Sequence, residues 1–544
     1  MSMRKQGLEE IPEVTRRVAH NSFRKGNQYI KVADELGTLY EYSDFEEMYP
    51  KRGQSAEHPV RLALVCLLQF AEGLSDRAAA DAVRSRIDWK YFLHLDLDDP
   101  GFDFSVLSEF RTRLVNHEGG EKLFSKMIDV FKNKGLIKEK GKQRTDSTHV
   151  FAAIRVLNRL ELVHETMRNA LEFVAVAAPE FLREIAHPTW LKRYDRRMFS
   201  FSQPKSDTER DKLARTIAAD GFQLLKEIDS RPSMRWLNES PPIDTLRKVW
   251  EQQYTQPPEP PRFLKHEEQI PSAQRITSPH DTDARFSIKK GVEWGGYKLH
   301  LTETCDDNLP RLIVNIESTP ATTPDCITLP DIHASLKHNK ILPSIHLADA
   351  GYVNAITLES SKKNHDVRLM GPPDSSWQAN DGLFDQTKFQ VNWRRKYAIC
   401  PRGNKSKSWS RGKNGSTKIT FAPYDCYRCP FRELCVRGTT SAGHPRARSL
   451  QIRSRAEFEA RLNERLEYKE DLTLYGERSG IEGTISQVVR NSNVRVARFI
   501  GKEKVRLEHF LAALATNLIR MGDWFLEKPL GKTRKSHLSR VLAA

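Results

Sequence analysis

The apolar pattern turns helical at His58. Val60, Leu62, Ala63, Leu64, Cys66, Leu67, Leu68 and Phe70 follow in one unbroken run, and Gly73 ends it. Ser75 then stands where its hydroxyl can accept from the free N–H groups of a new first turn, so a second helix is predicted over SDRAAADAVRS. A third is predicted from Ser105. Short helices joined by tight turns, with Arg84, Arg86, Arg111 and Arg113 on them, suit a helix-turn-helix-like DNA reader if those arginines are exposed. The first 50 residues have no clear period.

The period changes at QRTDSTHVFAA, Gln143–Ala153. Thr145, Thr148, Val150 and Phe151 favour a strand. Asp146 inside it is unfavourable unless it has a partner or a task. Helical patterns return over 154–250. QPPEPPR (256–262) follows as an extended spacer, because proline fixes φ and blocks continued helix. Alternation at GYKLHLTET (296–304) and RLIVNIEST (311–319), with DNLP between, predicts paired strands. CITLPDIHASLKH reads as a helix. SIHLADAGY (344–352) and DVRLMGPP (366–373) read as strands, and the last helix carries Glu482. Strands and helices in this order predict an α/β fold with helices on the faces of a sheet.

Composition adds a partner. The 544 residues carry 87 Lys and Arg against 71 Asp and Glu, a formal net charge of +16 and a pI near 9.4. That sign and size favour a polyanion, nucleic acid above all. The longest apolar runs fall short of the roughly 20 residues that a membrane-spanning helix needs. MSMRKQGLEEIPEV lacks the apolar centre of a signal peptide. A cytoplasmic, nucleoid-associated protein is expected, whose seven cysteines are thiols or metal ligands rather than disulfides.

Asp146 and Asp349 stand at predicted strands, and Glu482 on a predicted helix with Tyr475 and Arg478 at i, i+3 and i+7, on one helical face. Strand ends and a flanking helix can converge at one sheet edge. Three carboxylates meeting there need a cation, and an all-oxygen set suits Mg²⁺ or Mn²⁺. Two such ions suit phosphoryl transfer.

TDSTHV with Asp146, ADAGY with Asp349, and YGERSGIEG with Glu482 resemble the three blocks of DDE transposases of bacterial insertion sequences. The last block of that group reads Tyr, two residues, Arg, three residues, Glu, six residues, Lys. Tyr475, Arg478 and Glu482 match, whereas the lysine position is Val489, followed by Arg490. GYK at Gly296–Lys298 and the helical segment from His58 to Val83 also resemble the group. The resemblance implies an RNase H-like core that cleaves DNA at transposon ends and joins the 3′-OH to target DNA. Asp146, Asp349 and Glu482 would hold the metals. Tyr475 and Arg478 would contact DNA near the cleaved phosphate, with Arg490 as a candidate replacement for the lysine. A homo-oligomer on double-stranded DNA is implied. A related nuclease that cuts without joining and a catalytically inactive DNA-binding protein are the rival readings.

Cys400, Cys426, Cys429 and Cys435 form C-x25-C-x2-C-x5-C, between the second and third blocks and among Arg402, Lys405, Lys407, Arg411 and Lys413. Four thiolates suit Zn²⁺ or a [4Fe–4S] cluster. Cys66, Cys305 and Cys326 read as ordinary core residues. His149, His300 and His346 read as structural, and Asp281 and Asp283 as a capped turn. The expected organisation is an N-terminal helical, DNA-binding region (1–140), an α/β RNase H-like core (141–525) with a helical insertion (154–262) and a cysteine-bearing insertion (374–455), and a basic tail (526–544).

Overall fold

The computed structural model describes all residues except 1, 4–7, 156, 290, 373–383, 385, 412–415, 437–445, 453–454, 456–457, 460–461, 463–471, 530–540 and 542–544. Lys413 and most of the basic tail lie outside the described residues.

The fold is mixed α/β, built on a six-stranded sheet. Its strands are β1 (Lys142–Phe151), β2 (Arg285–Lys289), β3 (Val292–Thr304), β4 (Ile313–Pro320), β5 (Ile345–Ala348) and β6 (Arg368–Met370). The hydrogen-bonded order is β2-β3-β1-β5-β6, with β4 also paired to β3. β1 runs antiparallel to β3 and parallel to β5, with Thr145 opposite both Thr302 and Ala348. Each predicted strand forms. β2 was not expected from the sequence, since ARFSIK has little length or alternation to mark it.

Gly296 shows why one glycine of GYK is needed. It pairs with Phe151, its φ is +151°, and an added Cβ would stand 2.2 Å from the carbonyl oxygen of Val150. No side chain fits between these two strands.

The C-terminal helix, Lys502–Phe525, packs on β4 and on the helices Gln28–Leu36, Pro59–Glu72 and Gly119–Asn133. It is covered on several sides, which suits a stretch from Phe510 to Ala515 that is apolar all round. Its Asn517 side chain donates to the Ile313 carbonyl and accepts from the Ile313 N–H, both at 2.8 Å, pinning the helix to β4. One buried apolar cluster runs from Ala19 through these helices to Leu299, Ile316 and Ile332. The predicted helix ends hold as well. Gly73 is left-handed at the end of Pro59–Glu72, and Ser75 accepts from the Ala78 N–H at 3.2 Å.

Arg84 keeps the expected exposure, whereas Arg86, Arg111 and Arg113 do not. Arg111 is buried against Asp76 at 2.6 Å. Arg86 pairs with Glu72 and Asp88. Arg84 bonds Asp81 and the carbonyls of Pro100 and Phe102. Arg113 lies over the Tyr49 ring. The four guanidiniums fasten the helices to one another, a task that charge on a sequence cannot distinguish from DNA contact.

Between β1 and β2, helices from Arg159–Ala177 to Pro241–Gln253 close on their own core of Leu162, Met167, Ile217, Leu224, Leu246 and Trp250. Residues 384–458 form a smaller body. A hairpin (Gln390–Asn392, Tyr397–Ile399) and a three-stranded sheet (Ser408–Arg411, Thr417–Thr420, Ser449–Ile452) enclose Phe389, Ile419, Phe421 and Leu450. Among the described residues no helix is long and apolar enough to cross a membrane.

Candidate active site

Asp146 sits in the middle of β1. Asp349 directly follows β5, one register step beyond the Thr145–Ala348 pair. Neighbouring strands lie about 4.8 Å apart, so the two carboxyls are side by side. Asp349 is fixed by the Gly351 N–H, which donates to its Oδ1 at 2.8 Å. Burial, and then the charge of Asp349, raise the pKa of Asp146 above its ordinary value, against the Ser147 N–H and Arg478, which lower it. Two carboxyls crowded into a half-buried edge are held near neutrality only with positive charge beside them.

Glu482 arrives on the helix Gly480–Ser492. A short helix (Leu472–Gly476) and one 3-10 turn (Glu477–Ser479) precede it. The signature therefore does not lie on one uniform α-helix, as its spacing predicts; a tighter turn at Arg478 separates Tyr475 from Glu482. Arg478 spans the site. Its Nη1 donates to Asp146 Oδ2 at 3.0 Å and its Nη2 to Glu482 Oε1 at 2.8 Å. Arg478 thus links Asp146, which Asp349 neighbours on the next strand, to Glu482.

Tyr475 packs beside Cys305, Leu347 and Met370 and borders the Arg478 guanidinium. Val489, at the signature's lysine position, packs on the main core. Arg490 is exposed, about 100° further round the helix. Among the described residues no hydrogen bond or ion pair joins it to the acids.

A fourth carboxylate was not anticipated. Asp325 opens the helix Asp325–His338. It accepts from Lys298 Nζ at 2.8 Å and from the Ser147 hydroxyl at 3.3 Å. A Cβ on Gly351 would lie 3.0 Å from Asp325 Oδ2 and 3.1 Å from Asp349 Oδ1, so both acids border that glycine. Lys298 of GYK was the available signal, because a lysine on an inner strand calls for an acid.

The histidines are structural. His346 bonds Thr145 at 2.6 Å and His333 at 2.8 Å beneath the sheet, and burial holds it uncharged. His300 bonds Tyr352 at 2.5 Å, which makes the tyrosine of ADAGY a core residue. His149 stacks near Trp294 and meets Arg495. Asp281 caps its turn and accepts from the Tyr297 hydroxyl at 2.6 Å, while Asp283 accepts from the Lys502 N–H.

Cys400, Cys426, Cys429 and Cys435 line one cavity of about 30 Å³. Burial, with Arg448 opposing, and the neighbouring thiols push Cys435 up to about 11. Cys66 and Cys305 are buried as expected, whereas Cys326 is only partly so. Among the described residues no group of three or more His, Cys, Asp or Glu side chains is arranged to hold a metal ion as it stands. At the acids, Arg478 bonds Asp146 and Glu482. At the cysteines the thiols border a cavity without closing on it.

Two family models match the chain. One, described as a transposase DDE domain, covers residues 399–522, which include the four cysteines, Tyr475, Arg478 and Glu482. The other, described as a transposase domain (DUF772), covers residues 18–113, the N-terminal helices. Searches of curated proteins and of solved structures gave no match. Members of the DDE family depend on divalent metal and act on DNA, which agrees with a carboxylate-lined edge on a chain of net charge +16. The chain is a DDE-type transposase.

Proposed function

We propose that Asp146, Asp349 and Glu482 hold Mg²⁺ or Mn²⁺ in an RNase H-like core, where the protein cleaves transposon-end DNA and joins the 3′-OH to target DNA. What supports this is the pairing of the parallel strands that carry Asp146 and Asp349, with a guanidinium bridging Asp146 to Glu482 on a helix. The donor set is all oxygen and crowded with negative charge, which fits a hard divalent cation. Bound there, two such ions supply activation of the attacking oxygen and stabilisation of the leaving one.

This chain's own residues do the rest. The Gly351 N–H and the Ser147 N–H each hold one oxygen of Asp349 and Asp146, leaving the second oxygen of each to ligate. Arg478 turns from the acids to a DNA phosphate, which its planar fork suits. Tyr475 backs that guanidinium, and exposed Arg490 adds a phosphate contact further along the helix. The N-terminal helices (1–140) and the basic tail (526–544) extend the DNA surface, and pairing two transposon ends calls for a homo-oligomer. The four cysteines line one cavity and take one Zn²⁺, which four thiolates suit.

The test uses the full chain, Mg²⁺ and DNA carrying the genomic sequence on both sides of the reading frame. Wild-type protein is expected to nick the ends and to join a pre-cleaved 3′-OH end to a target plasmid. Asp146→Asn and Glu482→Gln should bind that DNA and do neither. Nicking without joining would leave a nuclease, and Asp146→Asn nicking at the wild-type rate would refute the assignment.

A further inference from the structure

Along a strand, alternate side chains share a face. On β1 those are Lys142, Arg144, Asp146 and Thr148, and each meets the segment that carries Glu482. Lys142 Nζ lies 2.9 and 3.0 Å from the Glu477 carboxylate oxygens. Arg144 Nη1 donates to the Glu477 carbonyl. Asp146 accepts from Arg478, and Thr148 from Arg495 at 2.9 Å.

Behind this row stands Glu303, directly opposite Arg144 in the β1–β3 register and fully buried. Its Oε1 accepts from Arg144 Nε and Nη2, both at 2.6 Å. Its Oε2 accepts from Arg520 Nη1 at 2.7 Å and from the Thr484 hydroxyl at 2.5 Å. Burial works against the charged form, but Arg520 and Arg144 keep the Glu303 carboxyl below its ordinary range. One carboxylate thereby joins the strand of Asp146, the helix of Glu482 and the C-terminal helix. Gly480 completes the joint, since a Cβ there would stand 2.1 Å from Arg144 Nη1. The Glu482 helix rests directly on a guanidinium whose own position Glu303 fixes.

We propose that Glu303, through Arg144 and Thr484, is a positioning residue that sets the location of Glu482 relative to Asp146. This rests on the reading of those two acids as metal ligands. A buried ion cluster with every oxygen and guanidinium satisfied is a rigid spacer, because any displacement strands a charge in the interior. Mg²⁺ demands near-ideal octahedral geometry, and a misplacement of about 1 Å can cost on the order of 100-fold in rate.

The test compares Glu303→Gln, Gly480→Ala and Asp146→Asn in the full chain on a plasmid carrying the genomic sequence on both sides of the reading frame. It reads cleavage rate, the Mg²⁺ concentration at half-maximal rate, and DNA binding by gel shift. Gly480→Ala removes no charged group and keeps a helical φ of −64°, so it reports on position even if Glu303→Gln fails to fold. Both variants are expected to bind DNA as wild type does. They should lose about 100-fold in rate and need at least about tenfold more Mg²⁺. The defect should be smaller in Mn²⁺, whose site is less exacting. A general loss of stability would not give that metal-specific split. Gly480→Ala at the wild-type rate and Mg²⁺ requirement, with Asp146→Asn inactive, overturns the proposal. Cleavage by Asp146→Asn overturns the reading beneath it, and the proposal with it.

Discussion

Arg478→Ala tests the electrostatics of the site most directly. In the protein without DNA, one guanidinium engages Asp146 at 3.0 Å and Glu482 at 2.8 Å. A metal ion that recruits both carboxylates must displace it. The Glu482 side chain is 63% exposed, so that contact adds at most about 0.5 kcal/mol after screening. The Asp146 side chain is 15% exposed, and a charged hydrogen bond there contributes about 1.5 kcal/mol. Together they oppose metal binding by about 2 kcal/mol, or roughly 30-fold in affinity. Calorimetric titration of DNA-free protein with MnCl₂ should therefore show tighter binding by Arg478→Ala than by wild type. The same variant should cleave DNA more slowly, because it has lost its grip on phosphate. Arg478→Lys, which can reach one acid but not both in the same geometry, should fall between. Equal or weaker Mn²⁺ binding by Arg478→Ala would refute the view that Arg478 and the metal compete for the same oxygens.

Other expectations follow from separate parts of the molecule. Purified wild-type protein should contain one zinc per chain by atomic emission, and Cys429→Ser should lose it while the sheet of β1 to β6 still melts cooperatively. Gly296→Ala should destabilise the fold by about 3 kcal/mol, read as a fall in melting temperature, because its Cβ meets the backbone of Val150 and Ala152 rather than a movable side chain. Burial raises the Glu508 carboxyl from an ordinary 4.5 to about 7. The folded state thus holds a proton that the unfolded state has released, so stability should fall as pH rises from about 4.5 to 7 and then level off. Glu508→Gln should flatten that slope in urea titrations and gain up to about 3 kcal/mol at pH 8, since Glu508 Oε1 is buried without a partner.

Part of the local pattern was legible before folding. Asp146 in a strand and the Tyr475–Arg478–Glu482 spacing are local facts with a physical meaning, and Arg478 joins Asp146 to Glu482 in the fold. The ends of the helix Pro59–Glu72 were equally readable, because a left-handed glycine and a serine cap act within a few residues. Asp325 was missed because its partners Lys298 and Ser147 are far off in the chain. Arg111 was misjudged for the same reason, since Asp76, 35 positions away, becomes its partner only after packing.

The sequence alone determined periods, caps, net charge and the order of the three acidic blocks, all of which depend on neighbours along the chain. The tertiary structure alone decided which charges meet. It buried Glu303 between Arg144 and Arg520, set Gly480 on a guanidinium, and turned Val489 inward and Arg490 outward. Electrostatic energy depends on distance through space and on the water that burial removes, and neither quantity is written in a linear order of residues.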